Sequence, residues 1–220
     1  MQGPRITLFE QTGPAGARDG APLVVLLHGR GSNRFDLAGL APHIAPGAVV
    51  VTPEAPFSGM EWGYGPGSAW YRFMGRNRPE PASFEASQVA LAAFLAELPG
   101  QFPVRTGALV LGGFSQGGTM SVAHALRNPG AAPLILNFSG FLADHPSVAA
   151  TPESVRGTRF WWGHGTLDPQ IPFALGEEGR ALLVGAGADL ETGDYEIGHS
   201  ISPDEARDAR AWVERAVAGG

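Results

Sequence analysis

Short apolar runs alternate with helical patterns along this chain, and that alternation limits the possible folds more than any other feature of the sequence. The clearest run, Leu23–Leu27, has the length and the β-branched residues of a strand buried on both faces. Because strands and helices take turns, the sequence predicts an α/β fold with a mainly parallel sheet and helices on both faces. The other predicted strands cover residues 48–52, 108–111, 134–136, 159–162 and 189–195, and the predicted helices cover 35–44, 84–98, 119–127, 173–184 and 205–217.

Two helix starts carry recognisable capping residues. Ser83 is the expected cap of the helix over 84–98. Ser202, with Pro203 at the first helical position and Glu205 at the third, has the spacing of a capping box. A helix start that is fixed in this way would also hold the loop in front of it.

The composition favours a single domain over residues 1–220. Apolar residues make up 44% of the chain and charged residues 16%, which is enough apolar material for a sizeable core. The 32 glycines and 19 prolines indicate many tight turns, because clusters of Val, Leu and Ile argue against disorder. No internal repeat, low-complexity tract or linker interrupts the sequence.

Several classes of chemistry and of partner are excluded by residue type and charge. The chain has no cysteine, which rules out disulfides, thiolate metal sites and a cysteine nucleophile. All 15 basic residues are arginine, so there is no lysine for a Schiff base or a phosphate loop. The net charge of −6 and the lack of a basic stripe argue against nucleic acid as a partner.

The apolar runs are too short for a membrane protein. None approaches the ~20 residues that cross a bilayer, and the first residues lack the pattern of a signal peptide. We therefore expect no stable membrane insertion, a cytoplasmic location, and a monomer or weak homodimer.

The pentapeptide Gly113-Phe114-Ser115-Gln116-Gly117 matches the G-x-S-x-G pattern. It directly follows one predicted strand and precedes a predicted helix, which is the arrangement that a nucleophile elbow requires. On such a sharp turn, side chains two positions from the serine would collide with the strand and the helix, so glycine is needed there. This context favours Ser115 as a nucleophile over an incidental serine in a glycine-rich turn.

A serine hydroxyl needs a base to take its proton and a carboxylate to orient that base. His199 is the predicted base, because it follows the last predicted strand and precedes a well-capped helix. His145 and His164 are the alternative histidines. Asp168 is the predicted acid, because it leaves the strand before the one that precedes His199, and Asp144 is the runner-up.

Two backbone N–H groups are predicted to stabilise the oxyanion of a tetrahedral intermediate. One belongs to Gln116, the residue after the nucleophile, at the N-terminus of a helix. The other belongs to Arg30 in the loop His28–Ser32, where glycines on both sides would let the backbone turn inward. An ordinary strand-to-helix turn is the alternative interpretation of this loop.

At these residues the sequence resembles the phospholipase/carboxylesterase family, which includes the acyl-protein thioesterases. Four blocks carry the resemblance, in the family's order and roughly its spacing: LHGRGS at 27–32, GFSQGG at 113–118, HGTLD at 164–168 with Ile171-Pro172, and GHSIS at 198–202. The resemblance implies a compact α/β-hydrolase with little or no cap domain. It also implies a triad of Ser115, Asp168 and His199, with Arg30 and Gln116 as oxyanion donors.

The chain departs from the family pattern in two places. Arg30 stands where the family usually carries an apolar residue. Because the oxyanion role belongs to the backbone, catalysis should survive, but the side chain would narrow or charge the entrance of the site. The family also often has a short Ser-Trp-Phe element in its long loop, where this chain reads SAWYRF at 68–73.

The segment 53–82 has no clear periodicity and is too long for an ordinary connection. Six aromatic residues lie between positions 57 and 73. We expect Trp62, Trp70 and Phe73 to wall a substrate pocket. The alternative is a hydrophobic cluster that pins the loop to the sheet.

These residues together predict a serine hydrolase that uses no metal and no cofactor and cleaves small carboxylic esters, with lysophospholipids and thioesters as further possible substrates. Because histidine titrates near neutrality, weakly alkaline activity is expected. The alternatives are a non-catalytic binding protein on the same scaffold and a hydrolase of another bond type.

Overall fold

A seven-stranded sheet lies at the centre of the computed structural model, counted over the described residues 3–12, 18–102 and 104–219. Its strands are β1 Phe9–Thr12, β2 Leu23–Leu27, β3 Val49–Pro53, β6 Leu109–Phe114, β7 Leu134–Phe138, β8 Arg159–Gly165 and β9 Asp189–Tyr195. Two short strands, β4 Phe57–Ser58 and β5 Ser68–Ala69, pair with each other instead. The order in the sheet is β1-β3-β2-β6-β7-β8-β9, and every neighbouring pair is parallel except β1 with β3.

Helices cover both faces of this sheet. They are α1 Ala41–Ile44, α2 Pro81–Glu97, α3 Gln116–Arg127, α4 Phe173–Gly185 and α5 Pro203–Ala218. The core between the sheet and α2, α3 and α4 includes Val25 and Leu27, whereas Val24 and Leu26 pack in the core with α1 and α5. Successive residues of β2 therefore point into opposite cores, and the predicted α/β fold with helices on both faces is confirmed.

The helix predicted over 35–44 is wrong for most of its length, since α1 begins only at Ala41. The residues before it form successive turns in which each N–H bonds to the carbonyl three positions back, as from Ala38 to Phe35 and from Leu40 to Leu37. Asn33 begins this series of turns, because its side-chain Oδ1 accepts a hydrogen bond from the N–H of Phe35.

The cap predicted at Ser83 is also wrong. Helix α2 begins at Pro81, and the carboxylate of Glu80 accepts from the N–H groups of Ala82 and Ser83. Proline suits the first helical position because it has no N–H to leave unpaired. Hydrogen bonds from Ser83 lower the pKa of Glu80, which keeps the capping group ionised.

The start of α5 keeps half of the predicted capping box. Ser202 Oγ accepts from the N–H of Glu205 at 3.0 Å. The Glu205 carboxyl is fully buried, and among the described residues neither oxygen makes a hydrogen bond of normal geometry, although the backbone N–H of Ser202 is close enough to favour the ionised form. Burial raises the pKa of Glu205 to about 8, so this side chain is neutral near pH 7.

Candidate active site

Ser115 lies on the sharp turn between β6 and α3, and its backbone is strained, with φ 55° and ψ −113°. A Cβ atom on Gly113 would lie 2.5 Å from the carbonyl oxygen of Leu27, and one on Gly117 would overlap the same oxygen. Both glycines are therefore required by the close approach of β2. The turn presents the serine beyond the carboxyl end of a central strand, the usual place for a site in such a sheet.

Asp168 and His199 form a hydrogen-bonded pair. The His199 Nδ1 lies 2.6 Å from Asp168 Oδ2, and the two side chains are 8% and 0% exposed. Because a carboxylate only accepts, Nδ1 carries the proton and Nε2 is left as the acceptor. The other oxygen of Asp168 accepts from the backbone N–H groups of Gln170 and Ile171, at 2.8 and 2.9 Å, which fixes the carboxylate.

Asp144 and His145 lie away from this pair, whereas His164 Nε2 is 3.7 Å from Asp168 Oδ2. Asp144 is exposed on the loop after β7, and His145 is 3.5 Å from a carboxylate oxygen of Glu85. His164 is fully buried, and its Nε2 donates to the Ile171 carbonyl at 2.9 Å, which ties β8 to the turn that carries Asp168. Burial lowers the pKa of His164, so it remains neutral.

Ser115 and His199 line one cleft of about 260 Å³. The ring of Phe114 lies against the His199 ring, with centroids 4.6 Å apart. Among the hydrogen bonds of the described residues, none joins the serine hydroxyl to the His199 ring. Such contacts are often long before a substrate binds and shorten in the complex.

The two predicted oxyanion donors line the same cleft. Within the part of the chain that the structure describes, no hydrogen bond uses the N–H of Arg30 or of Gln116. Gln116 is the first residue of α3, where the helix dipole favours negative charge. Its side-chain amide is fixed by the long loop, accepting from the N–H of Trp70 at 2.8 Å and donating to the Tyr71 carbonyl at 2.7 Å.

His28 anchors the loop that carries Arg30, a role that the sequence reasoning missed. Its Nδ1 lies 2.7 Å from the Gly29 carbonyl, and its Nε2 accepts from the N–H of Ala55 at 3.0 Å. The Trp70 indole N–H donates to the His28 carbonyl at 2.9 Å. Burial lowers the pKa of His28, so the neutral ring keeps both bonds. Its position directly after a buried strand was the available signal.

Glu54 is a second anchor that no motif indicated. Its carboxylate accepts from the Ser68 hydroxyl and from the N–H of Arg34. Ser68 in turn pairs with the loop 28–32 that carries Arg30, here called the oxyanion loop. The Ser68 carbonyl accepts from the N–H of Gly31, and the Ser68 N–H donates to the carbonyl of Ser32. Although burial opposes ionisation, these hydrogen bonds lower the pKa of Glu54. The loop is thus bound to the segment 53–80.

The aromatic residues of the long segment divide between the cleft and the core. Phe73 and Tyr71 line the cleft. The expectation that Trp70 lines it is wrong: the residue is fully buried in the core, where its indole N–H meets His28. Trp62 is also outside the cleft lining and packs on Phe57, with centroids 5.1 Å apart. Trp70 pins the loop to the core, as the alternative interpretation held, whereas Trp62 packs against Phe57 and Tyr64 of its own segment.

A larger hollow of about 900 Å³ lies away from these groups. It is lined by the first residues of β7, β8 and β9, so it lies at the amino ends of the strands. Over residues 3–12, 18–102 and 104–219, no group of three or more His, Asp or Glu side chains is placed to bind a metal ion. In the same residues, no helix combines the length and apolar character needed to span a bilayer.

A family model described as phospholipase/carboxylesterase matches residues 14–216. A probable carboxylesterase of Oryza sativa subsp. japonica is 36% identical over 105 residues, 46% of this chain. A carboxylesterase of Arabidopsis thaliana is 32% identical over 49% of this chain; the matches span only 39% and 48% of these two relatives. Acyl-protein thioesterase 1 of Cryptococcus neoformans is 24% identical over 88% of this chain and 92% of that protein.

Solved structures match over nearly the whole chain. The crystal structure of esterase PE8 has a TM-score of 0.78 and 29% identity, covering 96% of this chain and 99% of that one. Acyl-protein thioesterase 2 of Zea mays has a TM-score of 0.77 with the same coverage of both chains. Its identity of 21% makes that second match evidence for the fold alone.

Proposed function

The chain belongs to the phospholipase/carboxylesterase family, and we propose that it hydrolyses small carboxylic esters with Ser115 as the nucleophile. The observation that carries the proposal is the hydrogen-bonded pair of Asp168 and His199, whose imidazole lines the same cleft as the strained serine. The α/β-hydrolase fold supports it too, because the three residues follow β6, β8 and β9 in the order this fold uses.

The proposed reaction begins with attack of Ser115 Oγ on the ester carbonyl carbon, while His199 Nε2 takes the hydroxyl proton. Asp168 stabilises the imidazolium that forms. The carbonyl π electrons move onto oxygen, and the N–H groups of Arg30 and Gln116 donate hydrogen bonds to that oxyanion.

Collapse of the tetrahedral intermediate breaks the bond to the leaving alcohol, which receives its proton from His199. The acyl group stays on Ser115 as an ester. A water molecule then gives a proton to His199 as it attacks the acyl carbon, and a second collapse releases the carboxylic acid and restores the serine hydroxyl.

Short acyl groups are the proposed substrates. A cleft of about 260 Å³ lies just below the usual range for pockets that hold drug-sized ligands. Phe73, Phe141 and Ile171 supply apolar walls for an acyl chain. Relatives that carry the names carboxylesterase and acyl-protein thioesterase support an acyl group on oxygen or sulfur; thioesters and lysophospholipids are the further candidates.

Esters of p-nitrophenol with acyl chains of increasing length test this function. We expect kcat/KM to be highest for short chains and to fall by about 10³-fold or more in the Ser115→Ala variant. A fluorophosphonate probe should label the wild-type protein and not this variant.

The Ser139→Ala variant is the matched control. Ser139 is also a buried serine with a positive φ, 52°, but it lies outside the cleft lining. Its removal should leave labelling intact. A folded wild-type protein that neither reacts with the probe nor cleaves any ester of the series would instead be a binding protein on this fold.

A further inference from the structure

The Arg30 side chain is held at the cleft by two aromatic rings. Its guanidinium carbon lies 4.8 Å from the centroid of the Tyr64 ring and 5.4 Å from that of Phe73. Both are within the range of cation–π attraction. The rings are fixed to each other, because the Tyr64 hydroxyl accepts from the N–H of Phe73 at 2.8 Å. The guanidinium is therefore positioned, although the residue is exposed.

Within the described residues, the Arg30 guanidinium forms no ion pair. Among the described residues, no carboxylate oxygen lies within 4 Å of the Arg30 guanidinium, whereas nearby Arg34 contacts both Glu10 and Glu54. Asp36 also lines the cleft but lies beyond that distance, so it weakens the field of Arg30 without pairing with it. Arginine is suited to bind a carboxylate or a phosphate through two parallel N–H groups.

Tyr71 also lines the cleft, and its buried hydroxyl is a second polar group beside Arg30. The Tyr71 residue is 1% exposed, and its hydroxyl makes no hydrogen bond within the described part of the chain, although the Thr119 hydroxyl is near. Burial raises the pKa of Tyr71, and the nearby Thr119 hydroxyl and then the Arg30 charge act in the opposite direction. The hydroxyl therefore keeps its proton and can donate it.

We propose that the Arg30 guanidinium and the Tyr71 hydroxyl form a subsite for an anionic group, a carboxylate or a phosphate, carried by the ester substrate. The inference rests on the proposed function. The backbone N–H of Arg30 is the proposed oxyanion donor, so the anionic group must lie within one arginine side chain of the reacting carbonyl. Half-esters of short dicarboxylic acids and short acyl esters of glycerol phosphate have that shape.

Matched pairs of substrates test the subsite. Mono-p-nitrophenyl glutarate is compared with p-nitrophenyl pentanoate, and acetylglycerol phosphate is compared with monoacetylglycerol. Each kcat/KM value is divided by the rate at which hydroxide hydrolyses the same ester, which corrects for the ester's own reactivity. The wild-type protein should prefer the charged member of at least one pair. The pair that shows the preference identifies the group as carboxylate or phosphate.

For Arg30→Gln, the readout is kcat/KM of the charged substrate divided by kcat/KM of the neutral one. Any disturbance of the oxyanion loop lowers kcat/KM for both substrates and therefore cancels in this ratio. We expect the ratio to fall about 10- to 100-fold, as for loss of a hydrogen bond to a charged group. Asp36→Asn should raise the ratio and Tyr71→Phe should lower it. Arg72→Gln is the control, since this exposed arginine lies outside the cleft lining.

Two failures can be told apart. A wild-type protein that cleaves neutral esters but has no preference for either charged substrate would overturn the subsite and leave the hydrolase intact. An equal fall of the ratio in Arg30→Gln and Arg72→Gln would overturn it as well, because the effect would then come from net charge. A protein that cleaves none of the four compounds and resists the fluorophosphonate contradicts the proposed function itself.

Discussion

At the residue scale, the carboxylate of Asp168 is fixed by hydrogen bonds within its own turn. Asp168 accepts from two backbone N–H groups, of Gln170 and Ile171, with one oxygen, and this leaves the other oxygen for His199. The aspartate therefore needs no adjustment to orient the imidazole. Such a carboxylate acts by holding the ring in one tautomer and stabilising its charged form.

Asp168→Asn should lower kcat by about 10³- to 10⁴-fold, because an amide donor facing Nδ1 would favour the wrong tautomer of His199. KM should change little. The Asp144→Asn variant is the matched control, since Asp144 is an exposed aspartate on the loop after the neighbouring strand β7. Steady-state kinetics on a p-nitrophenyl ester would contradict the assignment if the Asp144 variant lost as much activity as the Asp168 variant.

At the scale of elements, the segment between β3 and α2 holds the oxyanion loop in place through hydrogen bonds. Trp70 bonds to His28 and Gln116, and Ser68 joins Glu54 to the backbone of Gly31. The donors in the loop and at the helix start are thus held by the same segment. A shift of this segment would move the loop that carries the Arg30 N–H.

Glu54→Ala should therefore reduce kcat by about 10- to 100-fold, the cost expected for a small misplacement of catalytic groups. KM should change less. Glu54→Gln should recover part of the loss, because its amide oxygen can still accept from Ser68. Glu61→Gln, at an exposed position of the same segment, serves as the control. A loss of stability with kcat unchanged would mean that Glu54 has a structural role only.

Over the whole molecule, two buried groups with large pKa shifts contribute opposite pH dependences to the stability. Burial raises the pKa of Glu205 to about 8 and lowers that of His124 to about 4. Between about pH 4.5 and 8, Glu205 is protonated in the folded state and ionised in the unfolded state. The free energy of unfolding therefore falls as pH rises through this range. Between about pH 4 and 6.5, His124 is neutral in the folded state and protonated in the unfolded state. The free energy of unfolding therefore falls as pH drops through this range.

The two slopes oppose each other between pH 4.5 and 6.5, and above that range the slope from Glu205 remains while that from His124 ends. The wild-type protein should lose about 1–2 kcal/mol of unfolding free energy between pH 6.5 and 8. Glu205→Gln should remove this loss, measured by urea unfolding at both pH values. Glu214→Gln, on the exposed side of the same helix, should retain it. An unchanged slope in the Glu205 variant would show that this carboxyl is ionised in the folded protein.

The sequence by itself determined the six parallel strands of the sheet, the helix layers and the turn at Ser115, but it did not predict the antiparallel edge strand β1. These features depend on short-range patterns: apolar runs such as Leu23–Leu27, and glycines such as Gly113 and Gly117 that the turn requires. Local patterns were less reliable at helix starts, where competing side chains decide. Glu80 rather than Ser83 caps α2 for that reason.

Only the tertiary structure decided which groups meet. The sequence could order Asp168 and Asp144 along the chain, but their distances to His199 depend on how β7, β8 and β9 lie side by side. The same holds for Trp70, which the packing of a long segment turned into the core, and for the unpaired carboxyl of Glu205. Contacts between residues far apart in the chain have no local pattern, because they form where separate elements pack together.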